Sequence, residues 1–166
     1  GFKWTIMPDE ERVAPLLAET IDALAAFGFT TVVLLTGHYP GEQVRMVRTL
    51  AEDAQARHPG LRCLGLPEHE LCIPDGDDPF PGDHAAKYET SLALALDPEW
   101  VRLDRLTPGR SPERARTAAT PHAGPIGGAF YDPEDPLYAI AGKDPRTHAS
   151  RELGERLVEE IVAKLA

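Results

Sequence analysis

The segment Phe29-Thr30-Thr31-Val32-Val33-Leu34-Leu35 is an unbroken apolar and β-branched run, too short to be a helix of its own. Such a run fits a strand buried on both faces, as in a parallel sheet. Ahead of it Val13, Leu16, Leu17, Thr20, Ile21, Leu24 and Ala25 recur at helical spacing, after the acidic start Pro8-Asp9-Glu10-Glu11. Acids suit a helix N-terminus, and Gly28 closes the pattern. Pro15 implies either a later start or a kink, because an interior proline removes one backbone hydrogen bond. Behind the run, glycines at Gly37 and Gly41 bracket a turn. Val44, Val47, Leu50, Ala51 and Ala54 then give a second amphipathic helix, stopped by His58-Pro59-Gly60. Leu61 to Leu66 reads as another strand. Strand, helix, strand is α/β grammar, and it predicts parallel pairing with a right-handed crossover.

The rest of the chain is less regular. Pro67 to Pro81 is rich in Pro, Asp and Gly and reads as a long loop. A third helix is predicted over about Ala85 to Leu96, and Thr107 to Pro136 as irregular. A last helix is expected over about Thr147 to Leu165, with Leu153, Leu157, Ile161 and Leu165 on one stripe. With 166 residues, 42% of them hydrophobic, a single domain over 1–166 is expected. The formal charge of −10 argues against nucleic acid or an anionic membrane as the main partner and favours small molecules or proteins. Cys63 and Cys72 do not form a secreted disulfide framework, so reduced thiols in a cytoplasmic protein are expected.

Three places can carry chemistry. His38 falls just past the end of the apolar strand, where parallel sheets bind ligands. An imidazole there can ligate a metal or shuttle a proton, or it can simply cap the loop. Glu89 falls on the apolar stripe made by Ala85, Ala86, Leu92, Ala93 and Leu96, where a carboxylate needs a cation, a metal or strong donors. Pairing with Arg102 or Arg105 is the plainer alternative. Asp83 and His84 precede that helix beside Gly82, as a proton-transfer pair or as a cap. The remaining histidines, His58, His69, His122 and His148, read as surface residues.

Together these residues resemble the creatininase family of metal-dependent amidohydrolases. Val32-Val33-Leu34-Leu35-Thr36-Gly37-His38-Tyr39 is similar to the family's strand ending in Asn-Gly-His, with the Gly-His-Tyr form of creatininases proper. Asp83-His84-Ala85-Ala86-Lys87-Tyr88-Glu89-Thr90-Ser91-Leu92 is similar to its Glu/Asp-His-Ala/Gly and Glu-Thr-Ser helix. Gly142-Lys143-Asp144-Pro145-Arg146, with Ala149-Ser150 and Gly154, is similar to its closing segment. The resemblance implies a three-layer α/β fold with a mostly parallel sheet. It implies hydrolysis of a C–N amide bond of a small molecule or peptide, with His38 and Glu89 as ligands to a divalent ion, Zn or Mn. Tyr39 would touch substrate, and Asp83 and His84 would handle protons. A homo-oligomer is implied as well.

The departures matter equally. Pro40 stands where creatininases proper carry a ligating glutamate, Thr36 replaces asparagine, and Asp83 replaces glutamate. The family's Glu-x-His and following Asp are expected upstream of Gly1, which makes the fold incomplete at its N-terminal side and leaves two ligands here, fewer than the three of a catalytic zinc site. The competing expectation is a non-catalytic α/β binding or interaction subunit that has lost the metal.

Overall fold

A computed structural model of the chain describes residues 8–38, 40–73, 83–106, 140 and 142–166. These fall into two compact units that divide after Glu70, and each is described by itself. The predicted irregular segment Thr107 to Pro136, with His122, lies outside the described residues.

In the first unit, helix α1 (Glu10–Ala26) carries Glu10 and Glu11 in its first turn and contains Pro15. Of the two sequence alternatives, the later start is thereby excluded. At its other end the Gly28 and Phe29 amides donate back to the Ala25 and Leu24 carbonyls at 3.0 and 3.1 Å. That pair of bonds needs a left-handed residue after the helix, and Gly28 supplies it with φ of 90°.

Strand β1 (Thr31–Thr36) pairs in parallel with β2 (Arg62–Pro67), from Thr31 opposite Arg62 to Thr36 opposite Pro67. Helix α2 (Gly41–Arg57) joins them, as the pattern predicts. Val32, Cys63, Leu50, Ala51, Ala54 and Ile21 form the core, with Leu17, Leu24 and Leu34 packed against it. The backbones of α2 and β2 come so close at Gly65 that a Cβ there would lie 2.1 Å from the Val47 carbonyl oxygen. At the other end of α2, Asp22 Oδ1 accepts from Arg57 Nη2 and pairs with His58 Nε2, both at 2.8 Å, tying α1 to α2.

One expectation needs correcting. The helices cover the face of β1 that carries Val32 and Leu34, whereas Leu35 remains 45% exposed, so β1 is not buried on both faces. The supposed loop after Leu66 also has more structure than its composition suggests. The strand runs through Pro67 and passes directly into a 3-10 turn (Glu68–Leu71).

The second unit is built on helices α3 (Lys87–Leu96) and α4 (Arg151–Leu165). Tyr88, Leu157 and Cys72 are buried together, with Leu92, Leu153 and Ile161 against them, so the predicted α4 stripe faces this core. The last helix is not continuous from Thr147. A single turn (Pro145–His148) comes first, capped by Asp144, whose Oδ1 accepts from the Arg146 amide at 2.9 Å. The chain then straightens at Ala149 and Ser150. Ser150 Oγ accepts from the Leu153 amide at 3.1 Å and starts α4 afresh. Two capping residues in close succession divide what helical periodicity reads as one element. Among the described residues no helix is long and apolar enough to cross a membrane.

Candidate active site

His38 follows β1 in a bend and is exposed, at the carboxyl end of the parallel pair, as its place in the sequence predicts. Tyr39 lies outside the described residues, and Pro40 is the N-cap of α2. Thr36, two residues before His38, is buried at 6% exposure, and among the described residues its Oγ1 has no hydrogen-bond partner.

Asp83, His84 and Glu89 belong to the second unit, where one short loop brings them together. Asp83 Oδ2 accepts from the Tyr88 amide at 2.7 Å and Oδ1 from the Glu89 amide at 2.9 Å. These are first-turn amides of α3, which otherwise lack acceptors. Glu89 reaches back in turn, its Oε2 accepting from the Ala85 amide at 2.7 Å, while Thr90 Oγ1 donates to the Ala85 carbonyl at 3.3 Å. Ala85 has φ of 48°, the left-handed region that costs a residue with a Cβ about 1–2 kcal/mol. Both polar groups of that residue are therefore fixed by α3 side chains. His84 sits inside this closed loop, half-buried.

Glu89 is half-buried rather than fully enclosed, and the donor it finds is a backbone amide. Among the described residues neither alternative arginine pairing is seen, and Arg102 instead binds Asp104 through Nη2 at 2.7 Å. Of the expected apolar stripe Ala86 is buried and Leu92 packs against the Tyr88 core, but Leu96 is exposed, and the buried positions within α3 are Lys87, Tyr88 and Ser91. Among the described residues no hydrogen bond reaches Glu89 Oε1.

Sequence reasoning overlooked the residues that lock this loop in place. Ser91 Oγ accepts from the Ser150 amide at 3.1 Å and donates to the Lys87 carbonyl at 2.5 Å. A Cβ on Gly154 would lie 1.8 Å from the Ser91 carbonyl oxygen, and one on Gly142 would lie 2.8 Å from Ala86 Cβ and 3.0 Å from Asp83 Cβ. The signal was available, since Ser91, Gly142, Ser150 and Gly154 all stand in the two motif segments. Nearby Asp144, 7% exposed, is held below the usual carboxylate range chiefly by the Arg146 guanidinium, whose Nη2 lies 2.6 Å away.

His69 and His58 are not plain surface residues either. Burial lowers the pKa of His69, and His58 is engaged with Asp22. A groove of about 450 Å³ lies between α2 and the 3-10 turn, lined by Val44, Arg45, Arg48, Glu52, Pro67 and His69. Its Arg48 is paired with Glu70 at 2.5 Å, and no residue singled out from the sequence as catalytic or ligating lines it.

Both cysteines are buried thiols outside any disulfide, and burial pushes the Cys63 thiol up, which makes it a packing residue more than a nucleophile. Among the described residues no group of three or more His, Cys, Asp or Glu is placed to hold a metal ion. His38 and Glu89 belong to different units, and the described residues of neither unit supply the three ligands of a catalytic zinc site.

Comparison with known proteins places these features in context. The family model for creatininase, creatinine amidohydrolase, matches residues 1–166. Among curated proteins none matches the chain. Solved structures do. "Creatininase Mn" is 26% identical with a TM-score of 0.65, covering 99% of this chain and 65% of its own. A mutant creatininase of "Zn-Zn type" is 26% identical with a TM-score of 0.66, covering 99% and 64%. A mutant creatininase complexed with creatine is 24% identical with a TM-score of 0.68, covering 99% and 65%, and shows likeness of fold alone. The chain thus spans a little under two thirds of the length of the structures it matches. Its mixed α/β architecture with parallel strands is that of these proteins, and the chain belongs to the creatininase family.

Proposed function

We propose that this chain carries part of the active site of a metal-dependent amidohydrolase acting on a C–N bond of a small amide. The observation that carries the reading is the loop at the start of α3. It holds His84 and Glu89 in one fixed frame, with one Glu89 oxygen tied to the backbone and the other clear of hydrogen bonds from the described residues. A divalent ion, zinc or manganese, supplies Lewis acidity when bound. His38 and Glu89 would be the ligands that the described residues offer to such an ion. Tyr39 contacts substrate, and His84, next to Asp83 in the loop, serves the proton transfers at the scissile amide. We place the protein in the cytoplasm as a homo-oligomer with neither nucleic acid nor membrane as a partner, in keeping with its charge of −10 and its two cysteines outside any disulfide.

The substrate class is tested by incubating the intact protein with Mn2+ or Zn2+ and a panel of small amides that includes creatinine. Hydrolysis that falls about 100-fold or more in His84→Gln supports the reading. Equal rates in wild type and variant contradict it. A second reading is a binding subunit without catalysis. It requires that no amide in the panel is turned over while the fold is retained.

A further inference from the structure

Asp83 was expected to share proton transfer with His84, yet its geometry suits a different task. The N-cap residue of α3, Ala86, makes no capping bond, and the first helical amides instead reach a carboxylate lying before the cap. Both Asp83 oxygens are used, one on Tyr88 and one on Glu89. A carboxylate that accepts one amide bond on each oxygen is held in place by the helix start, through charge-assisted hydrogen bonds. A Cβ on Gly142 would lie 3.0 Å from Asp83 Cβ and 3.5 Å from Asp83 Oδ2, so glycine at that position leaves the carboxylate room.

The consequence reaches Glu89. Asp83 fixes its amide, which sets where its side chain leaves the helix, and that side chain closes on the Ala85 amide. Ala85 keeps its left-handed backbone because its N–H and C=O are both held. The loop bearing His84 thus depends on Glu89, and Glu89 depends on Asp83.

We infer that Asp83 is a positioning residue: it orients Glu89 and the His84 loop through the Tyr88 and Glu89 amides, and it does not carry the proton. This rests on the amidohydrolase reading for its purpose but not for its geometry.

The test compares Asp83→Asn, Asp83→Glu and Glu89→Gln in the intact protein by residue-resolved amide hydrogen exchange, together with the pH dependence of creatinine hydrolysis. Asp83→Asn is expected to speed exchange at Tyr88, Glu89 and also Ala85 by at least about tenfold, the effect of losing a charge-assisted hydrogen bond. Glu89→Gln is expected to speed Ala85 alone, and Asp83→Glu to restore protection at all three. In hydrolysis, Asp83→Asn lowers kcat while the shape of the pH profile stays as in the wild type. Unchanged exchange at Ala85 in Asp83→Asn overturns the inference, as does loss of a limb of the pH profile in that variant. If wild type hydrolyses no creatinine, the choice of probe or the functional reading has failed, and the exchange pattern still decides whether Asp83 positions Glu89. If Asp83→Asn does not fold, Asp83→Glu and Glu89→Gln carry the comparison, and loss of Tyr88 protection in Glu89→Gln contradicts the one-way dependence.

Discussion

Gly154 of α4 lies against the Ser91 carbonyl of α3 so closely that a Cβ on it would be 1.8 Å from that oxygen. The contact joins the Glu-Thr-Ser and Ala-Ser-Gly segments, which the sequence presents far apart. Gly154→Ala must push the helices apart, because the atom it meets is backbone. Its cost is expected at or above the upper end of the roughly 1–3 kcal/mol of an overpacked site. Thermal unfolding followed by circular dichroism checks this, and a melting temperature equal to wild type would show that α3 and α4 do not cross there.

Ser91 adds a polar bond at the same crossing. In Ser91→Ala the Ser150 amide loses its acceptor at the start of α4, for a destabilisation of about 1–2 kcal/mol. Ser91→Thr keeps the hydroxyl but adds a methyl at a fully buried position, and is expected to be worse than alanine if packing dominates. Urea denaturation of the two variants ranks the hydroxyl against the space around it.

Ala85 reverses the usual ranking of alanine and glycine. With φ of 48° it occupies a conformation that glycine reaches freely, so Ala85→Gly is expected to be neutral or stabilising by up to about 1 kcal/mol. The gain is limited because glycine also adds freedom to the unfolded chain. An Ala85→Val variant should lose stability by more than 1 kcal/mol or so, since a branched side chain fits that backbone poorly. Melting temperatures of the pair are a direct check.

Asp144 gives a pH dependence with a definite sign. The Arg146 guanidinium lowers its folded pKa below the ordinary value of 3.8, so the folded protein binds a proton there less readily than the unfolded chain. The stability it contributes is fully present above that ordinary value and is lost as pH falls through the lower folded one. Asp22 acts in the same direction through Arg57 and His58, although it is exposed. Asp144→Asn should flatten the acid limb of stability against pH, measured by urea midpoints from neutral pH down to the acid range. An unchanged acid limb would remove Asp144 from its cause.

The fold was legible where a periodic pattern met a stop signal. Gly28 and His58-Pro59-Gly60 marked the ends of α1 and α2, and the β-branched run marked β1. Boundaries set by side-chain caps were not legible: Asp144 and Ser150 divide a helix that apolar spacing alone runs together. Burial of β1 on both faces was inferred from composition, but burial depends on what covers the strand, as Leu35 shows. At the candidate site the bonds were not legible. Spacing places Asp83 and Glu89 near one helix start, yet it does not say that each carboxylate would close on the backbone around the other. That arrangement depends on the left-handed turn at Ala85, a residue type that gives no warning of it.

The most direct test of the proposed chemistry is the metal content of the intact protein, purified without chelator and measured by inductively coupled plasma mass spectrometry. At least one equivalent of zinc or manganese per chain is expected, falling well below one in both His38→Ala and Glu89→Gln. An intact, folded protein without stoichiometric metal, or with metal undiminished in both variants, would contradict the assignment of His38 and Glu89 to a hydrolytic metal centre.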